Sequence, residues 1–303
     1  MTKLVNPLFG FDAHGSVGDE VTFQSSNEKK YARKKPRLPY CRSLAQVYQR
    51  WLYEDYYHLW RQQTQAVKDL FRTSGVRQHL TAYQAWMKYM LTNLPDICGM
   101  WHLDEKSGTV ARDSSRNGND GVVTGDYPAD GLIDGGFYFD WSDNVVVVPT
   151  SPSLWSPDTL TVEMFIYLLV MPGWAPSCPL INTGSFFLYD MSFFSLDFEF
   201  YILIGGVEEP HPSWDYMFID RWYHVAATYD KDAGADNLRL YVNGQLKDAV
   251  TRVGSVDAPT GDFFIGLTGW DYWFGKADHV VYYNRVLDEA EILRHSLRRY
   301  PAA

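Results

Sequence analysis

The stretch "LRLYVNGQLKDAV", residues 238–250, decides the fold class. Asn243 and Gly244 separate two runs of strand-forming residues, and both tolerate the positive φ that a two-residue type I′ turn requires. Comparable runs are separated by Gly, Asp, Asn and Pro along residues 98–303. They are "NVVVVP", "LTVEMFIYLLV", "FEFYILI", "WYHVAATYD", "DFFIGL" and "HVVYYN". Because almost no helical period interrupts them before a final "LDEAEILRHSLRR", they predict an antiparallel β-sandwich with a short C-terminal helix.

Residues 1–97 predict a separate domain of a different kind. "GSVGDEVTFQSSNEKKYARKK" predicts two strands around a polar turn, and two prolines then enforce an extended passage. Three short amphipathic helices follow, the first ending near Arg61 and the second at Gly75. Their expected N-caps are Ser43, Thr64 and Thr81. The sequence therefore divides into a small hairpin plus three-helix module, residues 1–97, and a sandwich, residues 98–303.

Charge differs between these two parts. The whole chain has a formal net charge of -10, yet residues 1–97 hold 14 Lys and Arg against 8 Asp and Glu, whereas residues 98–303 hold 13 against 29. The segment "EKKYARKKPRLPYCR", residues 28–42, is the most basic of all. Its cationic residues are Lys29, Lys30, Arg33, Lys34, Lys35, Arg37 and Arg42.

Only two tyrosines in this basic segment could stack bases, which favours docking on an acidic protein surface over nucleic-acid binding. A DNA site remains the alternative and would lose affinity steeply with salt. No apolar run is long enough to span a membrane, and the first residues lack a signal-peptide core, so neither membrane insertion nor export is expected. Three cysteines far apart indicate neither a disulfide framework nor a zinc site.

Several ordered blocks in the second part carry a family resemblance. They are "MWHLDEKSGTVARDSSRNGNDGVV", "GLIDGGFYFDWSDNVVVVPTSPSLWSPDTLTVEMFIY", "RWYHVAATYD" and "GKADHVVYYNRVLDEAEI". Over nearly all of residues 99–297, the chain resembles laminin-G-like, concanavalin A-like lectin/glucanase sandwiches. The resemblance implies a mainly β fold, an antiparallel concanavalin A-like jelly-roll sandwich. The sequence departs from the family pattern at Trp141, Ala277 and His279.

Residues 15–94 resemble a short module of phage virion proteins, through "ARKKPRLP", Trp60, Thr64, Phe71 and "AYQAWMKYMLTN". This resemblance implies a virion structural protein, in capsid decoration or associated with the tail, that displays the lectin-like domain. Its expected partners are major capsid or tail proteins, further copies of itself in a symmetric array, and cell-surface glycans. Its expected location is the extracellular particle, after synthesis in the host cytoplasm. A free carbohydrate-binding lectin is an alternative.

An incomplete acidic motif bears on catalysis. Hydrolases of the resembled family carry Glu-x-Asp-x-x-Glu on one strand, whereas "SLDFEF" offers only Asp197 and Glu199 on one face. The sequence therefore predicts no enzyme, and a polysaccharide-degrading enzyme of the same fold is the alternative.

Two kinds of ligand site are predicted on loops. Oxygen-rich segments suit a structural Ca²⁺, although the same residue types also fill turns. The candidate ligands are Asp113, Asn119, Asp140, Asp143 and, from the resemblance, Asp278. Aromatic side chains in "PHPSWDYMF" and "GLTGWDYWFG" could stack on sugars or anchor a protein interface. They are Trp214, Tyr216, Trp270, Tyr272 and Trp273.

Overall fold

The computed structural model describes most of the chain and divides it into two compact units, residues 1–43 and residues 44–302. The described residues are 2–3, 15–17, 21–26, 29–34, 43–125, 127–140, 144–169, 178–191, 197–215, 218–268 and 271–298.

The first unit contains a four-stranded sheet. Its strands are β1 (Thr2–Lys3), β2 (Gly15–Val17), β3 (Val21–Ser26) and β4 (Lys29–Lys34), in the order β1-β4-β3-β2. Strands β3 and β4 pair antiparallel from Val21 opposite Lys34 to Ser26 opposite Lys29, so the hairpin predicted from the sequence is confirmed.

The described part of the second unit contains four helices: α1 (Leu44–Gln62), α2 (Gln65–Arg77), α3 (Ala82–Asn93) and α4 (Glu289–Ser296). Helix α3 begins with a capping box, in which the Thr81 hydroxyl accepts from the Gln84 backbone N–H and the Gln84 side chain accepts from the Thr81 N–H. Thr64 caps α2 through its hydroxyl alone, which accepts from the Val67 backbone N–H. The predicted end of α2 at Gly75 was two residues short, because the helix continues to Arg77.

The strands of the second unit lie, in chain order, before and after a 3-10 turn at Pro152–Leu154. Those before the turn are β5 (Ile97–Trp101), β6 (Val110–Ala111), β7 (Gly121–Thr124), β8 (Pro128–Asp130), β9 (Gly135–Asp140) and β10 (Val145–Val148). Those after it are β11 (Thr159–Leu168), β12 (Cys178–Asn182), β13 (Phe186–Met191), β14 (Asp197–Ile202), β15 (Ser213–Trp214), β16 (Arg221–Asp230), β17 (Leu238–Val242), β18 (Gln245–Val250), β19 (Phe263–Ile265), β20 (Leu267–Thr268), β21 (Asp271–Tyr272) and β22 (Phe274–Tyr283).

These strands form two large antiparallel sheets, so the predicted mainly β sandwich is confirmed. Sheet one has the order β15-β14-β13-β12-β19-β10-β7-β6. Sheet two has the order β18-β17-β16-β11-β22-β9-β8, with β5 also paired to β22, and β20 and β21 pair separately. The predicted turn between β17 and β18 is confirmed, since Asn243 and Gly244 have φ of 52° and 78°.

The main core fills the space between the two sheets. Strand alternation places one set of side chains inward, such as Val162, Met164 and Ile166 of β11, all with no exposed surface. Large aromatic side chains, including Trp101 and Tyr229, complete this core. Full burial of each large apolar side chain contributes roughly 1.5–3 kcal/mol, so this interior is the dominant source of stability.

A second core lies on the outer face of sheet two, where the helices pack. Tyr56 of α1 and Trp86 of α3 join Val281 and Tyr283, which point away from the main core on β22. The sequence placed the domain boundary between residues 97 and 98, whereas the compact unit begins at Leu44. Apolar stripes on α1 and α3 are the physical reason, because they bury themselves against the sheet instead of against one another alone. None of the described helices is long and apolar enough to cross a membrane.

Candidate functional site

Strand β14 presents polar side chains on the outer face of sheet one. Phe198 and Phe200 of this strand are fully buried in the core, so the alternate residues Glu199 and Tyr201 point outward. The Tyr201 hydroxyl donates to Oε2 of Glu199. Asp197, two residues before Glu199, lies on the same strand opposite Met191 of β13, and its side chain is outside the described part of the structure.

His211 joins this pair from the following loop. Its Nε2 lies 3.6 Å from Oε1 of Glu199, and its Nδ1 lies 3.1 Å from Oε2 of Glu209. The His211 and Tyr201 rings are in contact, with centroids 3.9 Å apart and planes inclined by 32°. Glu209 is largely exposed, whereas Glu199 and His211 keep 14% of their side-chain surface exposed. We name Glu199, Tyr201, Glu209 and His211 the β14 patch.

Arg252 fixes the loop that supplies the β14 patch. Its guanidinium group donates to the carbonyl oxygens of Val207 (2.6 Å), Glu208 and Pro210 (3.1 Å), and the residue is 5% exposed. At the start of the loop, the Asp257 carboxylate accepts from the two backbone N–H groups of residues 205 and 206. A loop held by so many charged hydrogen bonds presents its side chains in one arrangement.

The β14 patch combines carboxylate acceptors, an imidazole and a phenol ring on an exposed sheet face. Such a set suits the alternating hydroxyl and C–H groups of a sugar. Glycoside hydrolysis needs two carboxyl groups at a defined separation on either side of the scissile bond. Here the second outward carboxylate, Glu209, lies on the far side of the His211 ring, because each ring nitrogen faces one carboxylate.

Comparison with known proteins decides the family. A laminin G-type family model, described as the concanavalin A-like lectin/glucanases superfamily, matches residues 140–293, just over half of the 303 residues. The chain belongs to the concanavalin A-like lectin/glucanase superfamily. A search of curated proteins gave no match.

Several solved structures have a fold similar to the sandwich of this chain. One is domain 4 of AbnA, an extracellular arabinanase from Geobacillus stearothermophilus in complex with arabinotriose, at 17% identity and TM-score 0.51, covering 66% of this chain and 98% of that domain. A second is the receptor binding domain of botulinum neurotoxin C/D mosaic serotype, at 16% identity and TM-score 0.54, covering 66% of this chain and 51% of that one.

A third is the binding domain of botulinum neurotoxin DC in complex with SialylT, at 14% identity and TM-score 0.52, covering 67% of this chain and 51% of that one. This chain therefore matches nearly the full length of the arabinanase domain but about half the length of each toxin binding domain. At these identities the likeness is one of fold.

Aromatic residues predicted to bind sugar do not form an exposed platform where they are described. Trp273 is 1% exposed in the main core, with its ring centroid 5.4 Å from that of Phe139, so its prediction as an exposed ligand contact is wrong. It packs inward because Gly275 leaves room for its ring: a Cβ there would lie 2.6 Å from it. Trp214 is half-buried against the same core, with the Lys247 Nζ 5.0 Å from its ring. Tyr272 lies in β21, and its side chain, like residues Tyr216 and Trp270, is outside the described part.

Two of the predicted calcium ligands serve a turn instead. Oδ1 of Asp113 accepts from the backbone N–H groups of Met100 (3.1 Å) and Ser115 (2.8 Å), and Oδ2 accepts from the Ser115 hydroxyl and the Asn119 N–H. The Asn119 amide donates to the Cys98 carbonyl and the Ser153 hydroxyl. With every carboxylate oxygen engaged by neighbouring donors, Asp113 does not fit a cation.

Asp278 has a different environment. Oδ2 accepts from the backbone N–H groups of Leu132 and Ile133, both at 2.8 Å, while Oδ1 is buried without a hydrogen-bond partner. Burial, with the nearby carboxylates of Asp104 and Asp134, raises the pKa of Asp278 to about 7. A buried carboxylate with one free oxygen among other acids fits a cation better than Asp113 does.

The remaining predicted sites are spread along the chain. Asp140 ends β9 at an exposed position, and Asp143 is outside the described residues. Among described residues, Asp113, Asp140 and Asp278 do not gather within the 4.8 Å that would let one ion bind all three. Of the predicted docking residues, Lys29, Lys30, Arg33 and Lys34 lie in β4, and Lys35, Arg37 and Arg42 are outside the described part.

Sequence reasoning missed a buried ionic network on the outer face of sheet two. Glu163 of β11 is 1% exposed, and its Oε1 lies 2.7 Å from Nδ1 of His295 in α4. Nε2 of His295 lies 3.1 Å from Asp55 of α1, which also accepts from Arg298. The Tyr283 hydroxyl donates to the same Glu163 oxygen at 3.0 Å. We name Asp55, Glu163, Tyr283, His295 and Arg298 the Glu163 network.

Charges in the Glu163 network hold one another ionised. Burial raises the pKa of Asp55, but the Arg298 guanidinium and His295 outweigh burial and keep this pKa well below its usual range. Burial and Arg298 lower the pKa of His295, but Glu163 and Asp55 raise it to about 9. Asp55, His295 and Glu291 come close enough to share a metal, but Arg285 already pairs with both oxygens of Glu291 at 2.6 and 2.8 Å. The Glu163 network therefore links helices α1 and α4 to sheet two, and we call this link the clamp.

Proposed function

We propose that this lectin/glucanase chain is a non-catalytic virion structural protein whose sandwich binds surface glycans at the β14 patch. One observation carries the glycan part: sheet one keeps a polar, aromatic outer face with its neighbouring loop fixed by Arg252, while helices cover the matching face of sheet two. Two superfamily structures with the same fold are complexes with arabinotriose and with SialylT, which supports a saccharide as the ligand class.

A glycan array with the full-length chain tests this site. We expect binding to a subset of glycans that is lost in Glu199→Ala and in His211→Ala and kept in Trp155→Ala, since Trp155 is an exposed aromatic of the sandwich outside the patch. Binding that survives both patch variants would assign the glycan site elsewhere.

Catalysis is the second candidate, because Asp197 and Glu199 share one strand. Incubation with a panel of polysaccharides should release no product. Sugar release that Glu199→Ala and Asp197→Ala abolish would make the chain a hydrolase or lyase and overturn the proposal.

The virion role rests on the module resemblance of residues 15–94 and on the charge of residues 1–43, which hold eight Lys and Arg against four Asp and Glu. These residues form a compact unit of their own, in keeping with a docking arm for an acidic capsid or tail protein. Quantitative mass spectrometry of purified particles should find a fixed number of copies per particle. Absence of a stoichiometric amount would exclude the virion role and leave a free lectin.

In this proposal a structural Ca²⁺ would bind the free oxygen of Asp278 and would brace the loop that contains Leu132 and Ile133. The ion would supply positive charge to the free Asp278 oxygen. Equilibrium dialysis should show calcium binding that Asp278→Asn removes and Asp113→Asn keeps. Equal binding by the wild type and Asp278→Asn would remove the ion from the proposal.

A further inference from the structure

An aromatic and basic surface lies on the outside of helix α1. Arg50, Tyr53, Tyr57 and Arg61 recur three and four residues apart, so they share one face of the helix, and all four are exposed. Tyr53 and Tyr57 keep 48% and 41% of their surface exposed. We name these four residues the α1 stripe.

The tyrosines of the α1 stripe are held in place by α3. The Tyr83 hydroxyl donates to the Tyr53 hydroxyl at 2.9 Å, and the Tyr57 and Tyr83 rings meet edge to face with centroids 6.2 Å apart. Rings that are fixed before binding lose little conformational entropy on contact, which is why tyrosine anchors protein interfaces.

Helix α2 also presents aliphatic side chains at its surface. Leu70 and Val76 are each 70% exposed, and Gly75 is the only residue of the 13 in α2 that is buried. Exposed aliphatic side chains match the apolar parts of a protein better than sugar hydroxyls, so this surface favours a protein partner.

The charges of the chain indicate which protein surface would be the partner of the α1 stripe. Residues 44–93 carry six Lys and Arg against three Asp and Glu, and one of the acids, Asp55, is buried in the Glu163 network. Residues 94–303 carry 13 Lys and Arg against 30 Asp and Glu. The helical layer is therefore basic and the sandwich of the same chain is strongly acidic, which is the complementarity that steers two protein surfaces together.

We propose that the α1 stripe, with Leu70 and Val76, docks on the acidic sandwich of a second copy of this chain. Two different surfaces meet in such a contact, so it repeats from copy to copy and builds a ring or a row. Tyr53 and Tyr57 supply the anchors, and Arg50 and Arg61 at either end pair with carboxylates of the neighbouring sandwich. This contact does not depend on whether the β14 patch binds glycan.

Sedimentation velocity of the full chain over a range of concentrations tests this contact. We expect self-association at low ionic strength that weakens as salt is added, because the paired charges are screened. Tyr53→Ala/Tyr57→Ala and, separately, Arg50→Glu should each weaken association by about 10-fold or more.

Two control variants match these changes outside the stripe. Tyr89→Ala removes a 46% exposed aromatic from α3, and Lys88→Glu makes the same change in net charge as Arg50→Glu at an exposed position of that helix, so neither change falls on the sandwich that the stripe would contact. Both should associate like the wild type, and circular dichroism should show that all variants stay folded.

Three results would overturn the proposal. One is a chain that stays monomeric at all concentrations and low salt. Another is association that the stripe variants leave unchanged. The third is a monomer that binds an acidic polysaccharide through Tyr53 and Tyr57, which would assign the stripe to an anionic glycan instead.

Discussion

The two outer faces of the sandwich are built in opposite ways. On sheet two, helices α1, α3 and α4 bury a second apolar core and close it over the Glu163 network. On sheet one, β14 leaves Glu199 and Tyr201 at the surface beside a loop that Arg252 pins. Polar side chains occur on both faces, but on one they hold the protein together and on the other they remain available to a ligand.

The difference teaches that the surroundings of a carboxylate decide its role. Glu163 and Glu199 occupy outward positions of central and peripheral strands, and each lies near a histidine and a tyrosine. Helices exclude water from Glu163, so its partners must neutralise it. Glu199 keeps contact with solvent, so a sugar hydroxyl could replace water there at little cost.

The largest expected effect comes from breaking the covered face. Asp55→Ala removes the carboxylate that accepts from Arg298 and lies 3.1 Å from His295. It deprives buried Arg298 of this carboxylate and leaves His295 with Glu163 alone, so we expect the free energy of unfolding to fall by about 3–5 kcal/mol in urea titrations. Asp158→Asn is the control, since its ion pair with Lys231 is exposed, and it should cause no measurable change. Equal effects of the two variants would refute the clamp.

Alkaline pH should open the same clamp. The pKa of His295 is raised from its ordinary 6.5 to about 9, so protonated His295 stabilises the fold fully below about pH 6.5 and this contribution is lost as pH rises through about 9. We expect the loss to be about 3 kcal/mol between about pH 7 and about pH 10. Burial lowers the pKa of His224, so the effect of His224 on stability has the opposite sign. It reduces the free energy of unfolding as the pH falls below about 6.5. Glu163→Gln should flatten the alkaline fall. A fall of unchanged size in that variant would show that another group causes it.

Much of the fold could be predicted because it depends on local signals. Asn243-Gly244 defines a turn by backbone conformation alone, and Thr81 with Gln84 defines a helix start by hydrogen bonds between residues three apart. The placement of the helices on sheet two could not be predicted, because an apolar stripe on α1 indicates that something covers it without saying what. Tyr56 packs on β22 residues more than 200 positions away in the chain.

Site residues were harder to predict for a related reason. Trp273 stands in a Gly-rich segment typical of an exposed loop, yet Gly275 and Phe139 create the space that buries its ring. His211 could not be predicted as a site residue, because its contact with Glu199 depends on a loop held by Arg252, which is distant in sequence. The one signal in the sequence was the spacing of Asp197 and Glu199, two residues apart in a strand-like run.

Loss of Arg252, which holds the loop beside the β14 patch on sheet one, should lower the free energy of unfolding less than loss of Asp55 from the Glu163 network. Arg252→Gln keeps part of the length of the side chain but cannot reach all three carbonyl oxygens of the loop. We expect about 2 kcal/mol lower unfolding free energy, together with faster amide hydrogen exchange at residues 205–211. Arg239→Gln is the matched control, because Arg239 is half-buried and its Nε bonds a single carbonyl. A larger loss than that of Asp55→Ala would reverse the ranking of the two faces.

The smallest effect on stability is expected at the β14 patch itself. Glu199→Gln preserves shape and leaves an amide oxygen that can still accept from Tyr201, and solvent reaches the position, so the free energy of unfolding should change by no more than about 0.5 kcal/mol. Glu163→Gln makes the same chemical change on the covered face, where the buried cation of His295 loses one of its two carboxylate partners, and should be far more destabilising. The ratio of the two unfolding free-energy changes measures how much the helical layer contributes. Equal changes in the two variants would contradict this explanation. They would show that burial by the helices does not determine whether a carboxylate stabilises the fold or stays available to a ligand.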